Sequence, residues 1–172
     1  LKRETSLTPN PYSGETFYNL GLAYDFSGDR NAAFDYYYKS AWSAETKPFA
    51  LYRTACILTE RKDFKSAYEF SERALVFNSH NMKARVLKAE LMRILNIDCT
   101  AFLEESFNID PLCPGINFLL KKDVGRTDDR RNLALDYIDC GLYERALEVL
   151  MPIKCDTLST YYKGYAALKS GD

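Results

Sequence analysis

Apolar residues recur along this chain at helical spacing, broken by short polar turns. Within residues 17–42, "FYNLGLAYDFSGDRNAAFDYYYKSAW", Leu20 and Tyr24 lie one helical turn apart on the same face. Gly28 is suited to end that helix, and Asp29 is suited to cap the next one. The stretch therefore predicts two antiparallel helices joined by a tight turn.

Two sets of small residues recur with a period of 34 residues: Gly21, Ala55 and Ala89, and Ala33, Ala67 and Ala101. Small side chains let two helix backbones approach closely, while larger neighbours fill the surrounding space. A period of this length is typical of stacked helical hairpins. The pattern predicts helices over about residues 14–27, 31–45, 48–60, 64–77, 82–95, 100–108, 115–122, 128–140, 143–151 and 158–169.

The second helix of the third repeat has two candidate registers. The strict period buries Ala101, whereas a turn shortened by two residues buries Cys99, Leu103 and Ser106 and ends the helix before Pro111. We favour the shortened turn because it agrees with the apolar pattern before the proline. Both registers give a helix in the same part of the chain.

The period slips before the fourth hairpin. Its small residues, Ala134 and Ala146, arrive 11 residues later than the repeat requires. The excess lies within residues 112–130, where Pro114 begins a short apolar segment suited to an added helix. The polar stretch that follows reads as a loop.

The first repeat, Phe17-x2-Leu20-Gly21-x2-Tyr24 followed by Ala33-x3-Tyr37, resembles the tetratricopeptide repeat (TPR) signature. The resemblance implies an all-α, right-handed superhelical solenoid of antiparallel helix hairpins. The expected organisation is an extended lead-in over 1–13 and a single repeat domain over 14–172. Within it we expect hairpins at about 14–47, 48–80, 81–111 and 127–155, an extra helix within 112–126 and a final helix within 156–172.

The order of these segments also resembles the TPR tail of a bacterial family of large proteins. Those proteins carry an N-terminal domain of unknown function linked to carbohydrate metabolism. This second resemblance implies that the chain is the C-terminal part of a longer protein, which agrees with a start at Leu1. It also supplies an alternative function, a structural accessory region of a carbohydrate-active enzyme.

Charge and composition argue against several other classes. A net charge of -1 gives no basic footprint for nucleic acid, and no apolar run is long enough to cross a membrane. The five cysteines are not clustered and His80 is the single histidine, so we expect no metal and no redox site. No phosphate-binding loop or catalytic constellation is recognisable. We expect a cytoplasmic protein that is not an enzyme and needs no cofactor.

TPR proteins are scaffolds for protein contacts, so the resemblance implies a groove lined by the first helix of each hairpin. The expected partner is a protein, a peptide or an N-terminal domain of the same chain. Tyr18 and Leu22 occupy the places of the clamp that holds peptide carboxylates in chaperone-binding members, so that mode is not expected. The predicted groove residues are Tyr18, Asn19, Leu22, Phe49, Tyr52, Arg53, Lys83, Glu90, Arg131, Asn132, Tyr161, Tyr162 and Tyr165.

The last predicted helix carries more apolar residues than one neighbour can cover. Gly171 and Asp172 read as the turn before a second helix. Terminal repeats normally need a polar outer face. We therefore expect an exposed apolar surface on this helix that is covered by further chain, by a symmetry mate or by a self-associating copy.

Overall fold

The structure is a computed structural model that describes residues 13–154 and 156–171, and these residues form ten helices with no strand among them. The all-α prediction is therefore confirmed. The predicted lead-in lies outside the described residues except for Ser13, and so does Asp172. The helices are α1 Glu15–Phe26, α2 Arg30–Ser40, α3 Lys47–Glu60, α4 Phe64–Phe77, α5 Met82–Ile94, α6 Thr100–Ile109, α7 Pro114–Leu119, α8 Thr127–Asp139, α9 Tyr143–Leu150 and α10 Thr157–Ser170.

Neighbouring helices in the chain are neighbours in space. α1 packs on α2, α3 on α4 and α8 on α9, while α4 packs on α5 and α9 on α10. The buried side chains form three clusters along this array: one spans the first hairpin and α3, one lies among α3, α4 and α5, and the largest extends from α5 to α10. Each hairpin thus completes its core against the next one.

The turns repeat with the same period as the small residues. The second residue after the first helix of hairpins one to three has a left-handed backbone, with φ of 85° at Gly28, 61° at Lys62 and 57° at Asn96. In each case the next backbone N–H donates to a carbonyl five residues earlier, at Tyr24, Leu58 and Met92. This bond closes the helix end in the same way, whether or not the left-handed residue is glycine.

The buried face of the third hairpin is the one that we favoured, but its turn is longer and not shorter: five residues, 95–99, separate α5 from α6, against three residues in each of the first two hairpins. Leu103 and Ser106 are buried in α6 and Cys99 is half-buried, whereas Ala101 is exposed. The buried guanidinium of Arg85 on α5 explains part of this register, because its Nη1 donates to Ser106 Oγ at 3.0 Å. A strict 34-residue period would instead turn the methyl group of Ala101 toward the buried side of α6.

Two predicted helix ends were wrong. α2 ends at Ser40 and not at 45, because Thr46 Oγ1 donates to the Ser40 carbonyl at 2.7 Å and closes the helix end with a side chain. α7 ends at Leu119 and not at 122, because Lys121 takes a left-handed φ of 56°. Both ends are set by local hydrogen bonding that apolar periodicity does not show.

The closest helix contact in the first hairpin lies at Gly21, which supports the predicted packing of α1 on α2. A Cβ added there would lie 2.6 Å from Cδ1 of Tyr37, a fully buried residue whose hydroxyl donates to Asp25 Oδ2 at 2.8 Å. Gly164 on α10 is the opposite case, since an added Cβ would meet no atom within 4 Å.

We expect Gly21→Leu to lower the free energy of unfolding by about 1–3 kcal/mol, because the side chain must displace the Tyr37 ring. Urea unfolding followed by circular dichroism measures the change. The same substitution at Gly164 is the matched control, and we expect it to be neutral or slightly stabilising because leucine is the better helix former. Equal effects at the two positions would contradict the packing at Gly21.

Candidate functional site

The C-terminal end of α8 lies against the face formed by α1, α3 and α5, which is here called the groove face. Cys140, directly after α8, packs into the same buried cluster as Tyr52, Cys56 and Leu87. Gly141, the next residue, also lies close to α3, since a Cβ added there would lie 2.7 Å from Cα of Glu60. Part of the predicted groove is therefore filled by the chain's own fourth hairpin.

A network of charges joins this end of α8 to the first two hairpins. Arg53 on α3 forms ion pairs with Asp25 and with Asp139, the last residue of α8. Arg30 pairs with Asp25 as well, and its Nη2 donates to the Asp139 carbonyl at 3.0 Å. The Asp25 side chain is only 4% exposed, so it requires these two guanidinium partners. The network holds three separate segments of the chain together.

A second buried carboxylate, Glu90 on α5, holds the middle of the fourth hairpin. It is 3% exposed and accepts hydrogen bonds from Tyr137 Oη at 2.7 Å and from Arg145 Nε at 2.9 Å. Burial, with Glu90 beside it, raises the pKa of Tyr137 well above its usual value. The phenol therefore stays protonated and remains a hydrogen-bond donor to Glu90.

The thiols of Cys56 and Cys140 meet at the centre of this contact, with their sulfur atoms 3.0 Å apart. Both residues are buried, and the hydrogen bond between them together with burial raises the pKa of Cys140. A protonated thiol is a poor nucleophile and a poor metal ligand. Cys140 therefore packs here as a small core residue.

Beside this contact, a cavity of about 240 Å³ opens between α5, α7 and α8, and it is here called the groove cavity. Its apolar wall is formed mainly by Met82, Val86, Leu87, Pro114 and Leu133. Its charged residues are Lys83, Asp110, Asp129 and Asp136, and Asn132 adds an amide. An apolar hollow with a few polar groups around it is the usual form of a binding site.

The added helix α7 helps to shape this cavity. Gly115 lies in its first turn, where a Cβ would fall 2.5 Å from Cγ2 of Val86 and 3.2 Å from Cδ1 of Leu133. The absent side chain lets α7 sit directly between α5 and α8. The 11 extra residues in the sequence therefore belong to the segment that separates α8 from α5 and leaves room between them.

Lys83 and Asp136 form an ion pair in the lining of the cavity, with 2.6 Å between Lys83 Nζ and Asp136 Oδ1. Burial raises the pKa of Asp136 above its usual value, although Lys83 acts in the opposite direction. The ionised form of Asp136 is therefore kept at a cost in free energy. A group of this kind in a hollow marks a candidate functional position.

The structure brings three of the predicted groove residues, Tyr52, Lys83 and Asn132, together at the groove cavity. Tyr52 is nearly buried there, whereas Lys83 and Asn132 are exposed. Arg53 and Glu90 instead hold α8 through the charge contacts described above. Whether any of them contacts a partner stays a prediction.

The remaining predicted residues lie elsewhere. Tyr18, Asn19 and Leu22 on α1 are half-buried, and the Tyr18 ring lies 5.5 Å from that of Tyr37. Phe49 is 47% exposed at the start of α3. Arg131 is engaged with Asp128 and Asp156, and the α10 tyrosines form a separate surface made by Tyr161, Tyr162 and Tyr165.

Sequence reasoning missed the acidic half of this site. Asp136, Asp139 and Tyr137 were treated as ordinary positions of a fourth hairpin, yet they contact α3 and α5. Asp110 and Asp129 were not connected with the groove either. The sequence offered two signals, the run of carboxylates on one helix and the slip in the period. Neither signal indicates which other helix those carboxylates contact.

The arrangement is that of a TPR-like helical solenoid, as predicted from the repeat. A solved structure described as "Crystal structure of MamA" is similar, with a TM-score of 0.55 and 19% sequence identity over 99% of this chain and 84% of that chain. A second, "MamA 41-end from Desulfovibrio magneticus RS-1", has a TM-score of 0.48 and 13% identity over 94% and 88% of the two chains. At such identities the likeness to the first structure shows the fold alone.

No protein-family model and no curated protein matches the sequence. Among the described residues, no group of histidine, cysteine, aspartate and glutamate could hold a metal ion. Over the same part of the chain, no helix is both long and apolar enough to cross a membrane.

We expect Glu90→Ala to lower the free energy of unfolding by about 3 kcal/mol, because it leaves Arg145 and Tyr137 without their buried acceptor. Chemical denaturation measures this loss. Glu148→Ala is the matched control: Glu148 also pairs with Arg145, but it is 53% exposed and we expect a change below about 1 kcal/mol. Similar losses for both variants would count against Glu90 as the anchor of the fourth hairpin.

The raised pKa of Asp136 predicts that the stability of the protein depends on pH. Its folded pKa is raised, so the wild-type protein loses stability as pH rises from the unfolded value of 3.8 through the folded pKa. Asp136→Asn removes this loss, and its stability relative to wild type should therefore rise from acid toward neutral pH and then level off. Urea unfolding at several pH values measures the difference.

Proposed function

We propose that this chain is a non-catalytic scaffold that binds a protein, a peptide or an N-terminal domain of the same chain through the groove face. The observation that carries the proposal is the groove cavity, an apolar hollow flanked by the exposed residues Lys83 and Asn132. A packed structural core would exclude such a hollow, because interiors are filled to crystal-like density. A cytoplasmic location belongs to the same proposal.

The repeat fold supports this reading. TPR arrays present extended surfaces on rigid helices, and most of the residues that line the cavity lie on helices α3, α5, α7 and α8. Phe49 lies on α3, the helix that also contributes Tyr52 to the cavity. The alternative of an accessory region in a carbohydrate-active enzyme has no support from a matching family model.

Peptides selected from a displayed random library test the proposal. We expect peptides selected on the wild-type protein to lose binding to Asn132→Trp, because Asn132 lines the cavity and is exposed, so an indole blocks the hollow without disturbing the core. Leu135→Trp is the matched control, since it lies on the same helix and does not line the cavity. Selected peptides that bind all three proteins equally would refute the cavity as the binding site.

We also propose that α10 is a self-association surface. Leu158, Tyr161, Tyr165 and Leu168 are between 38% and 76% exposed on this helix. Exposed apolar stripes of this kind tend to be interfaces.

We expect Tyr161→Glu with Leu168→Glu to shift the protein toward monomer, because the charges must be desolvated in any helix contact made there. Light scattering over a range of protein concentrations measures the shift. Val76→Glu with Phe77→Glu on the exposed end of α4 is the control pair and should leave the oligomeric state unchanged. A wild-type protein that stays monomeric at all concentrations would contradict self-association.

A further inference from the structure

The size of the groove cavity limits what can enter it. Its volume of about 240 Å³ lies below the roughly 300–1,000 Å³ of cavities that hold drug-sized ligands. Its wall is largely aliphatic, with Met82, Val86, Leu87 and Leu133 supplied by two helices. The space suits one large apolar side chain that projects from a partner, and it does not suit an extended cofactor.

The charges around the cavity are unequal. Three carboxylates, Asp110, Asp129 and Asp136, line it together with a single ammonium group, that of Lys83. Lys83 already pairs with Asp136 at 2.6 Å. Arg126 lies 3.5 Å from Asp129, but its side chain is 87% exposed and it does not line the cavity, so solvent screens most of its charge. The net field at the opening is therefore negative.

Asp136 adds a second reason to expect a cation. Burial raises its pKa even with Lys83 beside it, so its ionised form is held in an unfavourable environment. A further positive charge that approaches Asp136 would relieve part of this cost when it binds. A negative charge would add to it.

We infer that the groove cavity receives an apolar side chain from a peptide segment that carries lysine or arginine next to it. This inference rests on the proposed function and names the chemistry of the partner. The apolar group fills the aliphatic hollow, and the adjacent cations lie against Asp110, Asp129 and Asp136 at its edge. An acidic or phosphorylated segment would face like charges and is rejected.

Two short labelled peptides test the inference by fluorescence anisotropy. Both contain a central Leu-Phe pair, which is flanked by lysines in one peptide and by glutamates in the other. We expect the lysine peptide to bind at least about tenfold more tightly than the glutamate peptide. We also expect Asn132→Trp to abolish its binding and Leu135→Trp to preserve it.

A pair of double variants separates local charge from overall charge. Asp129→Asn with Asp136→Asn removes two carboxylates from the cavity and should weaken the lysine peptide about tenfold. Asp123→Asn with Asp128→Asn removes two nearby carboxylates that do not line it, and these side chains are 88% and 75% exposed. We expect this control to change affinity by less than about threefold. Circular dichroism confirms that each variant is folded.

The outcomes distinguish this inference from the proposed function. Equal binding of both peptides, blocked in each case by Asn132→Trp, overturns the inference and leaves the cavity as a binding site. Equal weakening by the two double variants also overturns it, because the effect then depends on overall charge alone. Failure of both peptides overturns the inference, while library-selected peptides that Asn132→Trp blocks would keep the proposed function.

Discussion

A hairpin of two short helices buries only part of its apolar surface, and this constraint organises the whole chain. The first three hairpins satisfy it by stacking, with small residues at Gly21 and Ala55 where the helices approach most closely. The fourth hairpin follows an inserted helix and completes its core in two directions at once. It packs along the array through α9 and α10, and it also places Cys140 among the core residues of α3 and α5.

This second contact depends on charges as well as apolar burial. Asp25 and Glu90 are almost fully buried carboxylates, and each is matched by guanidinium groups from another part of the chain. Such pairs contribute little net stability, since desolvation offsets most of the attraction, but a displaced partner is costly. The main effect of these pairs is therefore to set the relative positions of the helices that they join. Arg53 donates to Asp139, and Arg145 donates to Glu90, in one position of α8 and α9 only, so these pairs fix where the fourth hairpin lies.

The local features of the fold were predictable because they depend on residues that are close together in the sequence. The left-handed turns and the close contact at Gly21 follow from a period of 34, and the added helix follows from Pro114 and the slip in that period. The position of α8 was not predictable in this way. Arg53 and Asp139 are 86 residues apart, and a 34-residue period does not indicate that they pair. The register predicted Glu90 as a groove residue, and it did not show that Tyr137 of α8 and Arg145 of α9 would donate to its carboxylate.

The same insertion accounts for both the closed part and the open part of the groove face. α7 lies between α5 and α8 at the close contact of Gly115 with Val86 and Leu133, whereas Cys140, directly after α8, packs against residues of α3 and α5. The groove cavity lies between α5, α7 and α8. Asp129 and Asp136 of α8 and Asp110 of the loop before α7 line this cavity. An added helix thus converts a uniform repeat surface into one cavity with a defined size and charge, and selectivity for a partner requires both.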